Sequence, residues 1–278
     1  NSDDSAQAVA VDGSGNVVVT GSSWGSFDSF GNPHADYYTA KYAAADGALL
    51  WEQRYNGPAN SDDSAQAVAV DGSGNVVVTG SSGGDYYTAK YAAADGALLW
   101  EKRYNGPANG YDAAHALAVD GSGNVVVTGS SYNGSGSDDC YTAKYAAANG
   151  ALLWEKRYNG PANGDERVGT SRSLALGPNG MVVITGSSDG NFGPDTTFDY
   201  ATVVYRENLP SVSIELVPTG VRLRFAGISG RSYTIERALA ITGPWTPINT
   251  PTAPIGGLIE YVDTNPPVGT AFYRTREP

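Results

Sequence analysis

SAQAVAVDGSGNVVVTGSS runs from Ser5 to Ser23 and returns unchanged from Ser64 to Ser82. Around it, YTAKYAAA and ALLWE each occur three times, and the unit that opens at Asn1 reopens at Asn60, Asn109 and, in worn form, Asn163. Those spacings of 59, 49 and 54 residues mark a repeat architecture in which one supersecondary unit is stacked several times. Each unit carries four strand signals: Ala6–Val11, Val17–Thr20, Tyr37–Tyr42 and Leu49–Tyr55 in the first copy. The turns Asp12-Gly13-Ser14-Gly15-Asn16 and Asp46-Gly47 have hairpin chemistry, because Gly, Asn and Asp tolerate positive φ. Four short antiparallel strands that cannot cover their own faces predict the blade of a β-propeller. A β-sandwich built from the same strands gains nothing from copying one hairpin pair four times, whereas radial stacking does. Trp51, Trp100 and Trp154 are expected to fill the space between blades.

AVAVDGSGNVVVTGSS followed by DYYTAKYAAADGALLWEKRY resembles the β-propeller repeat of secreted bacterial proteins, commonly counted at seven blades, and its DGALLWE piece is similar to quinoprotein-type repeats. The resemblance covers roughly residues 1–205. It implies the architecture and a secreted or cell-surface bacterial location, but no shared catalytic motif.

The expected organisation is all-β: propeller repeats over 1–209 (1–59, 60–108, 109–162 and 163–209), then a small β-sandwich over 210–278. The fourth unit keeps strand signals at Ser173–Leu176, Met181–Thr185 and Tyr200–Tyr205 but leaves the pattern at Arg206. The missing strand is of the kind that would lie before Asn1, so further upstream sequence, with at least one LLWEKRY-like strand, is expected. A first residue other than methionine likewise suggests a processed or trimmed N-terminus. After Pro210 strands are predicted at Val212–Leu216, Val221–Phe225, Ser232–Glu236, Leu258–Val262 and Phe272–Thr275. GRSYTIERA, TGPWTPI and FYRT resemble a fibronectin type III-like module, with Trp245 as the expected core aromatic.

Length varies among the first three units only between the second and third strands: 13 positions from Ser23 to Asp36, 3 from Ser82 to Asp85 and 8 from Ser131 to Asp139. A constant framework with one variable loop is how a rigid scaffold presents a binding face. The variable loops offer Trp24, Phe27, Asp28, Phe30 and His34, then Tyr132, Asn133 and Asp138, then Asn191, Phe192, Asp195 and Phe198. Flat apolar rings beside directional acceptors suit a sugar or a protein segment. The connections into each new unit bring Asp3, Asp4, Asp62, Asp63, Asp112, Asp165 and Glu166 to the same end, where carboxylates would make calcium a candidate cofactor. The competing reading gives these acids to turn capping and the rings to loop packing.

A net charge of −12 argues against nucleic acid, whose phosphates call for a basic face, so none is expected as partner, and no apolar run is long enough for a membrane span. The single cysteine, Cys140, excludes an internal disulfide and stands in a slot that is tyrosine at Tyr37 and Tyr86. Only two histidines occur, and neither a nucleophile elbow nor a phosphate loop is present. The leading expectation is therefore a non-catalytic binding or adhesion propeller. A structural scaffold that self-associates is the first alternative, and a polysaccharide hydrolase or lyase the second.

Overall fold

The computed structural model describes residues 4–27, 31–169, 173–177, 180–189, 198–205, 213–227, 230–254 and 257–276. It separates into two compact units, Asn1–Arg206 and Glu207–Pro278. The first unit is a β-propeller array of four antiparallel sheets. They comprise β1 (Ser5–Val11), β2 (Val17–Phe27), β3 (Pro33–Tyr42) and β4 (Leu49–Tyr55); β5 (Asp63–Val70), β6 (Val76–Ser82), β7 (Asp85–Tyr91) and β8 (Leu98–Tyr104); β9 (Asp112–Val119), β10 (Val125–Tyr132), β11 (Asp138–Tyr145) and β12 (Leu152–Tyr158); and β13 (Glu166–Val168), β14 (Leu174–Leu176), β15 (Val182–Asp189) and β16 (Phe198–Tyr205). The predicted strands are present, and the second and third run longer towards their shared loop. In the fourth sheet the first strand is split into β13 and β14, both paired to β15.

Each sheet has two unlike faces. In the first two sheets the back offers the central valine of the second strand, a tyrosine and the outer-strand tryptophan; in the second and third the front offers valines and tyrosines to the sheet before. Thus Val18, Tyr37 and Trp51 pack against Val76, Val78, Tyr87 and Tyr91. Val77, Tyr86 and Trp100 likewise meet Val125, Val127, Tyr141 and Tyr145. Polar atoms fix the fit. Tyr37 donates to the Tyr87 carbonyl (3.3 Å) and Tyr86 to that of Tyr141 (3.2 Å). The rings of Tyr55 and Tyr87 stack at 3.8 Å, and those of Tyr104 and Tyr141 at 3.7 Å.

The strongest constraint sits at the other end of the strands. Lys41 is buried and forms an ion pair with Asp12 of its own sheet at 2.9 Å. Its ammonium also donates to the Ala93 carbonyl of the next sheet (2.9 Å), which accepts from Trp51 Nε1 as well (3.3 Å). Lys90, Asp71, Trp100 and Ala147 repeat the arrangement. The Asp12 carboxylate further accepts from the amides of Ser14 and Asn16, so the DGSGN turn exists to aim it. The tryptophan needs a floor without a side chain: a Cβ at Gly96 would stand 2.8 Å from the Trp51 ring, and one at Gly150 2.8 Å from Trp100.

The second unit faces β17 (Ser213–Val217), β18 (Gly220–Ala226) and β21 (Leu258–Asp263) with β20 (Thr246–Asn249), β19 (Thr234–Ala238) and β22 (Phe272–Arg276). Its core is Val221, Leu223, Phe225, Tyr233, Ile235, Ala253 and Ile259. Trp245, the expected core aromatic, is not among them. It precedes a short edge strand and lies half-exposed beneath the Arg274 guanidinium, 4.3 Å from its ring, while Phe225 and Tyr233 meet edge to face in the interior.

Gly47 and Gly96 separate backbone strain from packing. Both have positive φ (71° and 70°), yet a Cβ at Gly47 meets open space. Gly47→Ala should therefore cost about 1–2 kcal/mol of strain alone. Gly96→Ala should cost a further 1–3 kcal/mol or so from overpacking against Trp51. Urea denaturation of both variants measures the difference.

Candidate functional site

The loops joining second to third strands differ from sheet to sheet. In the first, β2 and β3 extend as a hairpin to Phe27 and Pro33; in the second, Gly83 and Gly84 turn the chain at positive φ. In the third, Asn133 builds the turn by accepting from Ser135 and donating to Ser137 and Asp139. Each hairpin leans on the connection leading into the next sheet. Ala35 N donates to Asp62 Oδ1 (3.1 Å), Asp138 N to Asp165 Oδ1 (3.1 Å), and Asn60 Nδ2 to the Phe27 carbonyl (3.0 Å).

Beneath this layer lies a recurrent buried acid. Asp63 and Asp112, both 1% exposed or less, accept from the amides of Gly57 (2.6 Å) and Gly106 (2.5 Å). Glu166 takes the same place beside Ser188. A Cβ at Gly57 or Gly106 would collide with these oxygens and with Ser82 or Ser131, so glycine is required there. Burial raises the Asp63 carboxyl above its ordinary range, aided by the nearby Asp36 charge, while Ser82, Gly57 and Arg103 partly offset it. Burial likewise raises Glu166 and Asp138. Asp4 Oδ1 accepts from the Trp24 amide (3.0 Å). The expected calcium ligands Asp4, Asp62, Asp63, Asp112 and Asp165 thus each hold backbone, and Asp3 lies outside the described residues. Among the described residues no three His, Cys, Asp or Glu side chains converge on a point that could hold a metal ion.

Of the expected ligand contacts, Phe27 is 63% exposed, Trp24 and Asn133 are half-buried, and Tyr132 packs over Gly110. Phe198 is exposed at the start of β16. His34 differs from expectation: Pro33 begins β3 rather than a loop, which buries His34 in the sheet with Nδ1 3.5 Å from Asp36 Oδ1. Asp28, Phe30, Asn191, Phe192 and Asp195 lie outside the described residues. Sequence reasoning missed Tyr111, which is 62% exposed at this end and stands where the neighbouring repeats carry Asp62 and Asp165. That departure from the repeat was its signal.

Between the third and fourth sheets the tyrosine pattern fails twice, with Cys140 in the slot of Tyr37 and Tyr86, and Ala201 in that of Tyr87 and Tyr141. A cleft of about 240 Å³, mouth included, opens there, lined by both residues with Tyr158, Val168, Ile184 and Gly186. Burial pushes the Cys140 thiol up to about 11, so it stays protonated at neutral pH.

Residues 35–195, more than half of the chain, match the PQQ_2 family model, described as outer membrane protein assembly factor BamB. The chain belongs to the PQQ_2 family. The match spans the second and third sheets, the third and fourth strands of the first sheet and most of the fourth, so the repeat read in the sequence is the PQQ_2 propeller-type repeat. No curated protein matches the chain. Among solved structures, a Bombyx mori GH32 beta-fructofuranosidase is similar at 12% identity, covering 97% of this chain and 69% of its own, with TM-scores of 0.37 alone and 0.38 for a mutant in complex with sucrose. At that level the similarity says nothing of activity here.

Stability should follow the two classes of acid. Raised carboxyls such as Asp63 and Glu166 favour the folded state as pH falls from neutral towards the unfolded carboxyl value of about 4. Asp12 is held low chiefly by Lys41; burial opposes the charge of Asp71 and Asp120, but Lys90 and Lys144 with the paired asparagines outweigh it. Their contribution is kept above about pH 4 and lost in stronger acid. Calorimetry should show Tm rising from pH 8 to about 5 and collapsing below about 3, with Asp63→Asn flattening only the rise. Cys140→Tyr should fill the cleft and stabilise the protein by about 1 kcal/mol, read by the same scans.

Proposed function

We propose that the chain is a non-catalytic binding propeller, acting outside the cell or at its surface, whose loop end holds a glycan or an extended protein segment. One observation carries this reading: the loops that vary in length and the exposed rings of Phe27 and Tyr111 lie at the same end of sheets whose framework is constant. Rings on a rigid base lose little entropy on binding and offer flat apolar area for a sugar face or a side chain. The acids below them serve the fold, so binding is expected to survive removal of calcium.

A glycan array on the whole chain, repeated with chelator, tests the reading. Phe27→Ala with Tyr111→Ala should weaken a defined hit at least tenfold and leave Tm unchanged. A blank array together with no peptide binding would end it, and loss of binding in chelator would restore the calcium reading.

A further inference from the structure

We propose that the cleft between the third and fourth sheets is a binding site for a small monocyclic phenol. Its ring takes the place of a tyrosine that the other two junctions carry, and its hydroxyl donates to the Ala201 carbonyl. The site lies between sheets and does not depend on the loop-end binding proposed above.

The first two junctions show what the space is shaped for. Between the first and second sheets Tyr37 meets Tyr55 and Tyr87 edge to face, with ring centres 6.1 and 5.2 Å apart. Between the second and third, Tyr86 meets Tyr104 and Tyr141 in the same way at 5.7 and 5.4 Å. Strand register puts Cys140 opposite Tyr158 as Tyr86 is opposite Tyr104, and Ala201 opposite Gly186 as Tyr141 is opposite Gly129. Of the three ring positions, the third junction keeps only that of Tyr158. The strands that carry these positions (β11, β12, β15 and β16) have counterparts in both earlier junctions. The third sheet also brings its outer-strand tryptophan, with Trp154 5.9 Å from Tyr205 where Trp100 is 6.3 Å from Tyr145.

Larger neighbours fill part of the space. Val168 stands in the place of Ala65 and Ala114, Ile184 in that of Val78 and Val127, and Val203 in that of Ala89 and Ala143. The few carbons they add, set against two lost tyrosines, leave a deficit of about one tyrosine side chain, and the cleft is what remains of it. A cavity left by missing side chains and lined by apolar groups is a ready site for a small aromatic ring. Its floor includes the Cys140 thiol, which is buried, neutral and polarizable, a good neighbour for a ring edge.

One polar group gives the cleft a direction. The Tyr87 and Tyr141 carbonyls each accept from a threonine of their own blade, Thr79 or Thr128, and from a tyrosine hydroxyl of the sheet before. The Ala201 carbonyl likewise accepts from Thr185 Oγ1 (3.2 Å), but Cys140 cannot supply the hydroxyl. In the earlier junctions that hydroxyl passes over a glycine: a Cβ on Gly80 would stand 2.6 Å from it, and one on Gly129 2.7 Å. A Cβ on Gly186 would meet first the backbone of Arg167 and Val168, so the route across Gly186 is open. A phenol offers both a flat apolar ring and one donor for the carbonyl. A sugar or an ion would bury polar groups against Val168, Ile184 and Val203 without partners.

Ligand-observed NMR on the whole chain tests this with 4-methylphenol, which is a tyrosine side chain without its backbone, and with toluene, the same shape without the hydroxyl. The phenol should bind saturably and one to one, and toluene at least threefold more weakly, as loss of one hydrogen bond implies. Cys140→Tyr supplies the missing ring covalently, so it should weaken 4-methylphenol at least tenfold while melting no lower than the wild type. On the wild type itself, saturating 4-methylphenol should slow alkylation of Cys140, the single thiol, at least threefold. No saturable binding up to the solubility limit, toluene binding as tightly as the phenol, unslowed alkylation, or a folded Cys140→Tyr that binds like the wild type would each overturn the proposal. Phe27→Ala with Tyr111→Ala should leave phenol binding unchanged, which keeps the outcome separate from that of the loop-end reading.

Discussion

A single backbone carbonyl organises each internal junction of the first two sheet pairs. Ala93 accepts a lysine ammonium and an indole N–H from the sheet before it, and Ala147 does the same one repeat later. Burying an ammonium costs several kcal/mol unless it is paired and hydrogen-bonded, and here the DGSGN aspartate supplies the pairing. The charge can therefore sit inside only when its own turn and the neighbouring sheet are both in place. A junction out of register leaves an ammonium without its acceptor, which sets one spacing between sheets in a way that valines sliding on valines would not. The glycine under each tryptophan adds a steric limit to the same register.

At the opposite end the logic is electrostatic in another sense. Buried carboxylates hold glycine amides, and surface carboxylates hold the hairpins of the sheet before. This end is built by acceptors for backbone N–H groups, which is why its loops differ in length without disturbing the strands beneath. A rigid floor with replaceable loops is the arrangement on which binding surfaces are usually mounted.

Much of this was legible in the residues. Leu49–Tyr55 was read to its ends because two leucines and a tryptophan follow a turn whose chemistry is unambiguous. The second strand was read short, since Gly21, Ser22 and Ser23 resemble a loop until the third strand is known to pair with them through Asp36. His34 was misplaced for the same reason: a residue after proline looks like a loop, and only pairing to Ser26 makes it strand. In the fourth unit, β13 and β14 stand where each sibling has a single strand. The short β20, which holds a proline, gave no alternation to detect. Tyr111 is hidden in the repeat because it lies outside the residues that the units share, at a position where its neighbours carry Asp62 and Asp165.

Because the main packing among the described strands of the repeats joins a sheet to its neighbours in the chain, the junctions of the first three sheets are interchangeable parts. A gene that duplicates or deletes one such repeat by unequal crossing-over inserts or removes a sheet without creating an unfamiliar surface anywhere. The near-identity of the first three units is the imprint of that freedom. The fourth, with Ala201 and Val204 where its siblings carry tyrosine and lysine, is where it stops, so lineages carrying this chain should vary in repeat number ahead of the fourth unit and hold that unit fixed.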